Sequence, residues 1–390
     1  MDQFLKTAIT ALGVVSPVGS TLEDFRSAFL LRQPQFSTHS SGYIAGTLVA
    51  ELESELGLLK KECKHETDRV VLQAILAGNK LKSGIKSIPG TDNLMVNLGS
   101  SRGATESLEA AYAGFASGER ILPRTSPTTT LGALSSSVAQ LFSKEVFPFN
   151  HSMTCSSSLI AVGNALAWLR SGMARRAIVG GSEAPLTDFT IGQMSSLGIY
   201  TKNDCGESFP VRPLEVDPVE NSFALGEGAA LFLIEPCDGD MCSQPLAIID
   251  SFGFGYEALK SQTSLTGMSL KAAMLGALNT RSSSAPIDAI VTHATGTTQG
   301  DSAELKAIRS IFGEETPLLV SNKWLMGHTM GAAGGMNIVT ALAMFGEKAE
   351  NFDFPYQIGF KQYPRDIRTV MINSAGFGGV ANCLIISRPD

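Results

Sequence analysis

Short apolar runs alternate with longer amphipathic stretches along this chain, and that alternation constrains the fold more than any other feature. Residues 7–12, 93–98, 177–179, 231–234, 247–249, 289–291, 318–320, 370–373 and 384–386 read as strands. Residues 21–31 and 67–82 read as helices, the first with Thr21 as N-cap and Asp24 as the acid three positions on. Strands separated by helical patterns predict α/β layering. Two parallels hint at duplication. Residues 226–236 and 379–389 are each a small-residue turn entering an apolar strand that stops at proline. Residues 155–169 and 328–345 each set a reactive side chain ahead of a small-residue, then apolar, helix. A boundary in 237–245 would give halves of 1–240 and 241–390; the alternative is that α/β segments in general look alike.

Composition narrows the function. Hydrophobic residues make up 44% of 390, enough for a sizeable core, and only 17% are charged, which excludes a disordered chain. The net charge is −7 with no basic stripe, so nucleic acid is a poor partner. No run of about 18 apolar residues is present, so no membrane span is expected. The six cysteines form no C-x-x-C pair, and Cys237 and Cys242 have no neighbouring histidine; no metal is expected. With no signal segment, they point to a reducing cytoplasm.

Three stretches could carry chemistry. Cys155 lies just before the helical stretch 159–169, where a helix N-terminus favours a thiolate and offers free N–H groups. His293 and His328 each lie in a small-residue loop just after a strand, where α/β sheets present groups to ligands, and Lys323 stands five residues before His328. Residues 376–379, Gly-Phe-Gly-Gly, form a flexible turn after a strand. Gly253-Phe-Gly-Tyr-Glu-Ala258 fits a dinucleotide fingerprint but lacks the later acid, and the same fit at Gly376 has too little chain after it. Gly99-Ser-Ser-Arg-Gly103 fits a hydrolase elbow, which would make Ser101 a nucleophile with Asp288 and then His293 or His328 in chain order.

Taken together the segments resemble the β-ketoacyl-[acyl-carrier-protein] synthases of the thiolase superfamily, nearest the elongating enzymes of type II fatty acid and polyketide synthesis. The likeness runs nearly end to end, through Cys155-Ser-Ser-Ser, Gly180-Gly-Ser-Glu183, Arg212-Pro213, Phe223-Ala-Leu-Gly-Glu-Gly228, His293-Ala-Thr-Gly-Thr297, Lys323-x-x-x-Gly-His328 and Asn373-Ser-Ala-Gly-Phe-Gly-Gly379. It implies a thiolase-like α/β fold of two duplicated halves in five layers, α-β-α-β-α.

The resemblance also implies roles. Cys155 takes the acyl chain as a thioester. His293 and His328 stabilise the enolate left when malonyl-carrier protein loses CO₂. Lys323 supports the second histidine and Glu304 organises that lysine. The N–H groups of Cys155 and Phe377 form the oxyanion hole, with Phe377 as the gating aromatic. Phe223 sits beside the decarboxylation site, and Thr295 and Thr297 hold the phosphopantetheine arm of the carrier protein. No bound cofactor is implied. Arg212, with Lys60, Lys61, Lys64, Arg120 and Arg124, would dock the acidic acyl carrier protein. The family usually forms homodimers through a sheet that continues across both subunits; a heterodimer with a synthase-like partner is the alternative.

The turn at 99–103 matches a family loop near the acyl pocket, which removes the reason to make Ser101 a nucleophile. Ala375 replaces a phenylalanine common in relatives, and Thr105 and Glu106 stand where apolar lining is expected. Both point away from long saturated chains and toward a bulky, stiff or aryl-polyene group. A non-catalytic chain-length partner of the same fold would lack the cysteine. A thiolase would need a second acid–base cysteine near the C-terminus, and Cys383 falls inside a strand pattern instead.

Overall fold

A computed structural model describes residues 6–63, 65–85, 93–142, 146–237, 244–259, 263–359 and 366–389. The chain first runs through β1 (Thr7–Val15), α1 (Leu22–Leu31), β2 (Ser37–Thr38), β3 (Ile44–Ala45), α2 (Ala50–Glu62), α3 (Arg69–Gly84), β4 (Leu94–Gly99) and α4 (Thr105–Ala116). There follow α5 (Thr125–Thr128), α6 (Ala133–Ala139), β5 (Val146–His151), α7 (Ser157–Arg170), β6 (Arg176–Glu183), α8 (Asp188–Ser196) and β7 (Gly228–Pro236). Beyond these lie β8 (Ala247–Tyr256), α9 (Met268–Thr280), β9 (Ala289–Val291), α10 (Thr298–Phe312), β10 (Leu318–Val320), α11 (Lys323–Met326), α12 (Ala333–Met344), β11 (Thr369–Gly376) and β12 (Val380–Ser387).

Ten strands are hydrogen-bonded in the order β10-β9-β11-β12-β8-β1-β7-β6-β4-β5. The join at the centre is short: β1 meets β8 only over Thr7–Ile9 against Ala247–Ile249. Read outward from that join, β1-β7-β6-β4-β5 and β8-β12-β11-β9-β10 repeat one pattern, two antiparallel pairings and then two parallel ones. Three of the parallel strands, β4, β9 and β10, are fully buried and, Asn97 aside, apolar, as layers covered on both faces require.

Helices α7 and α12 touch strands of both series and lie between them, while α3 covers β1 and β7 on one outside and α9 covers β8 and β12 on the other. This is the five-layered α-β-α-β-α order. Every residue of α12 is buried, which explains its apolar, glycine- and alanine-rich sequence. The outer helices approach their strands closely at matching glycines. A Cβ on Gly13 would collide with the Ala77 carbonyl of α3, and one on Gly253 with the Ala273 carbonyl of α9.

The Thr21 cap forms as expected: its hydroxyl accepts from the Asp24 N–H at 3.1 Å, and Asp24 accepts from the Thr21 N–H at 2.9 Å. The run beginning at Gly253 lies inside β8, which extends to Tyr256, so it is no phosphate loop. β5 had no sequence signal. It is the last strand of the sheet, half-exposed and interrupted by Pro148, which a strand tolerates at an edge. The boundary at residue 240 falls in 238–243, outside the described residues.

Candidate active site

Cys155 sits two residues ahead of α7, and Thr154 before it adopts a left-handed φ of 49°. A β-branched residue there stores strain of about 1–3 kcal/mol that the surroundings must hold. The tip of β11 does the holding. The Ser374 hydroxyl donates to the Cys155 carbonyl at 3.0 Å. Gly376 presses on the turn so closely that a Cβ there would collide with Thr154 Oγ1 and lie 2.9 Å from the Met153 carbonyl oxygen. Burial, then the nearby Glu183 carboxyl, push the Cys155 thiol up to about 12. The sequence expected a thiolate at this helix start. Desolvation outweighs that effect, and the free site holds a protonated thiol.

The two histidines meet. Their ring centroids are 5.4 Å apart and the rings are nearly perpendicular, at 86°. Phe223 stacks edge-on against His328 at 5.8 Å. Burial holds both imidazoles neutral, His293 down to about 3 and His328 well below its usual range, with Lys323 adding to each. The Nδ1 atoms of both are buried without a hydrogen-bond partner.

The loop carrying His293 is shaped by two carboxylates one turn apart on α10. Glu304 accepts from the N–H groups of His293 at 3.0 Å and Ala294 at 2.7 Å, and from the Asn373 amide at 3.0 Å. Asp301 accepts from Thr295 at 2.9 Å, Gly296 at 3.2 Å and Leu214 at 2.9 Å. Four consecutive N–H groups are thus held from a single helix face. His328 is fixed by backbone bonds to Ala224 and Gly226, at 2.8 and 3.0 Å.

Lys323 is buried behind the pair. Its ammonium donates to Asn337 Oδ1 at 2.6 Å and to the Thr292 carbonyl at 3.2 Å. Among the described residues no ion pair joins it to Glu304, whose charge acts on it through space. Glu304 is spent instead on the His293 loop. Burial lowers the Lys323 ammonium to about 7, against the opposing charge of Glu304.

One cavity of about 780 Å³ gathers Cys155, His293, His328, Glu304, Phe377, Phe223, Thr295, Thr297 and Ala375. The hydroxyls of Thr295 and Thr297 lie 3.2 Å apart. Lys323, Ser101 and Cys383 do not line it. The Ser101 N–H donates to Glu183 at 2.6 Å, and among the described residues no histidine bonds its hydroxyl. Cys383 is buried in β12.

Of the docking set, Lys60 and Lys61 end α2 and are exposed. Arg120 and Arg124 line a separate hollow of about 270 Å³ beside α4, together with Glu66 and Glu119. Arg212 pairs with Glu215 at 3.1 Å, and Lys64 lies outside the described residues. Sequence reasoning gave no role to Asn337, Asn373, Ser374 or Asp301. An asparagine in α12, whose other residues are apolar but for Thr340, was the available signal for Asn337. Among the described residues, no group of three or more histidine, cysteine and carboxylate side chains is placed to hold a metal, and no helix is long and apolar enough to cross a membrane.

The sequence matches the family described as beta-ketoacyl synthase, N-terminal domain, over residues 6–238 and the corresponding C-terminal domain over 246–349. The chain belongs to the β-ketoacyl synthase family. Members of this family are acyltransferases that work by decarboxylative condensation, and that is this chain's reaction class. The 3-oxoacyl-[acyl-carrier-protein] synthase 2 of Vibrio cholerae is 26% identical over 98% of this chain and 99% of its own length. Two solved ketosynthase structures share the fold at a TM-score of 0.84. One, 19% identical over 99% of this chain and all of its own, is a type II polyketide ketosynthase with its acyl-carrier protein, bound to the hexaketide. The other, 21% identical over the whole of both chains, is the ishigamide ketosynthase/chain length factor.

Proposed function

We propose that this β-ketoacyl synthase carries its acyl chain on Cys155 and condenses it with malonyl-carrier protein beside His293 and His328. The observation that supports this most is a buried thiol sharing one cavity with two neutral, perpendicular imidazoles. In the first half-reaction the Cys155 sulfur attacks the carrier thioester; its S–C bond forms, the pantetheine C–S bond breaks, and the thiol proton leaves on pantetheine sulfur. In the second, malonyl thioester loses CO₂ and its carbonyl oxygen gains enolate charge. Neutral imidazoles each have one N–H to donate to that oxygen. The enolate carbon then attacks the Cys155 thioester carbonyl, a C–C bond forms, the C–S bond to Cys155 breaks, and the departing thiolate takes a proton from solvent.

The remaining roles are those of the family, carried to the matching residues, and their shared cavity supports them. Thr295 and Thr297 hold the pantetheine arm in the cavity. The N–H groups of Cys155 and Phe377 take the oxyanion, and Phe377 gates the thiol. Glu304 and Asp301 set the His293 loop. Ala375 leaves room next to the thiol for a bulky or stiff chain. The chain consists of two duplicated halves, a reading supported by the repeated strand order and the matched glycines. The half-exposed edge strand β5, with Phe147 52% exposed, suits a dimer through a continued sheet, with an identical copy or a synthase-like partner.

A thiol reagent tests the nucleophile. Iodoacetamide is expected to abolish condensation with label on Cys155, while Ser101→Ala remains active; an inactive Ser101→Ala that still folds would favour the hydrolase elbow. Docking predicts a salt effect. Raising ionic strength should slow reaction with acyl-carrier protein severalfold and leave reaction with acyl-pantetheine unchanged. Equal salt response of both substrates would remove the basic residues from docking.

A further inference from the structure

Glu183 ends β6, is 1% exposed and has no role in the steps above. Its carboxylate holds a full set of donors, two on each oxygen. Oε1 accepts from the Ser100 hydroxyl at 3.0 Å and the Arg102 N–H at 3.1 Å. Oε2 accepts from the Ser101 N–H at 2.6 Å and the Gly331 N–H at 2.9 Å. Ser100, Ser101 and Arg102 form the turn after β4, whereas Gly331 lies just beyond His328.

The turn is tied in its own right to the approach to Cys155. The Ser100 N–H donates to the His151 carbonyl at 3.0 Å, and the Ser152 hydroxyl donates to the Ser101 carbonyl at 3.1 Å. One buried side chain thus bridges the segment that leads to the nucleophile and the segment that leaves the second histidine. The two meet without slack. A Cβ on Gly331 would lie 2.3 Å from the Ser101 nitrogen and 2.5 Å from Glu183 Oε2.

Backbone strain shows what the bridge holds. Thr154, just before Cys155, has a φ of 49°, and Met330, shortly after His328, has a φ of 42°. Neither is glycine, so each left-handed backbone persists only where its neighbours enforce it. Met330 is buried and lines the cavity with Cys155 and His328. The next N–H along the chain is the one that Glu183 takes. The helices that follow the two segments are joined separately, by the Gly335 N–H donating to the Ser158 hydroxyl at 2.9 Å. That bond fixes the helices, and Glu183 fixes the ends that reach the cavity.

We infer that Glu183 is a positioning residue that sets the spacing between Cys155 and His328. The inference rests on the proposed roles of those two residues and deepens them. Acylation uses the thiol, and decarboxylation uses the histidine pair. Only carbon–carbon bond formation needs both at a fixed separation, because the enolate must reach the thioester carbonyl before it takes a proton. An enolate that misses is protonated on carbon by solvent, and the malonyl thioester ends as acetyl thioester and CO₂ without product.

The test measures CO₂ against β-ketoacyl product, with acyl- and malonyl-carrier protein supplied together. The wild type should release the two in equal amounts. Glu183→Ala should load Cys155 and release CO₂ at rates within a few-fold of wild type. It should form product about tenfold to a hundredfold more slowly, the cost of a misplacement of about 1 Å, with acetyl thioester making up the difference. Glu183→Gln keeps an oxygen for the Ser101 and Gly331 N–H groups, and its amide can donate to the Ser100 hydroxyl, so it should recover most of the coupling. Gly331→Ala forces the two segments apart with Glu183 in place and should uncouple as Glu183→Ala does; it decides the matter if the latter fails to fold.

Equal amounts of CO₂ and product in these alanine variants would overturn the inference. So would equal loss of acylation, decarboxylation and condensation, the behaviour of a residue that merely holds the fold. A glutamine variant no better than Glu183→Ala would overturn it too, since the charge and not the bonds would then be acting. Removing that charge also eases ionisation of the Cys155 thiol, which changes acylation and not the ratio of CO₂ to product. Failure of the wild type to acylate Cys155 would reject the reading beneath, and this inference with it.

Discussion

His328→Ala is expected to leave acylation of Cys155 within a few-fold of wild type and to cut condensation by about a hundredfold to a thousandfold. The effect is large because decarboxylation needs no strong base here. It needs fixed donors where enolate charge develops, and removing one such donor typically costs that much. The geometry makes His328 hard to replace. Backbone bonds on both sides fix its position, Phe223 packs against its ring, and burial keeps the imidazole neutral. His293 stands across from it and supplies only part of the field. Single-turnover acylation and malonyl decarboxylation, measured separately, check this. Equal loss in both steps would mean that the pair acts on the thiol instead.

The second large effect belongs to Lys323. Its ammonium titrates near 7 when folded and near 10.5 when free. The folded pKa is depressed, so between these values the unfolded chain binds more protons, and stability conferred by this group rises with pH. Lys323→Met removes that dependence. The unfolding free energy of wild type relative to this variant should therefore rise by about 3 kcal/mol from pH 7 to pH 9.5. Denaturant titrations at the two pH values measure it, and other titrating groups cancel in the difference. A flat difference would mean that Lys323 stays charged in the folded protein. Condensation should fall in Lys323→Met at pH 7, where part of the positive charge behind the histidine pair is present, and the loss from that cause should shrink by pH 9.5, where the wild-type amine is itself neutral.

The fold was legible where burial makes a sequence monotonous. β9 and β10 are covered on both faces, and their apolar runs mark the strands to the residue, 289–291 and 318–320. β5 was not legible, because an exposed edge strand containing Pro148 has neither alternation nor a continuous apolar run. β8 was read only to residue 249. Its remainder alternates large residues with glycines, a pattern set by the pressure of α9.

In the site, Cys155, His293, His328 and Lys323 were found by chain position and by family likeness. The way they are held was not. Glu304 hydrogen-bonds the His293 loop while its charge reaches the lysine through space, and Asn337 takes the lysine's hydrogen bond. Such partners come from α10 and α12, far along the chain, and no local pattern records the pairing. Arg102 lay inside a motif that suggested a hydrolase. Glu183 binds that turn through the Ser100 hydroxyl and the Ser101 and Arg102 N–H groups, a partnership no local pattern records.

The most direct test of the account is the intact mass of the protein after exposure to a panel of acyl-carrier proteins, wild type beside Cys155→Ala. The account predicts a mass gain equal to the acyl group in the wild type and none in the variant. A gain that persists in Cys155→Ala, or no gain with any acyl group in a wild type that still condenses, would contradict it.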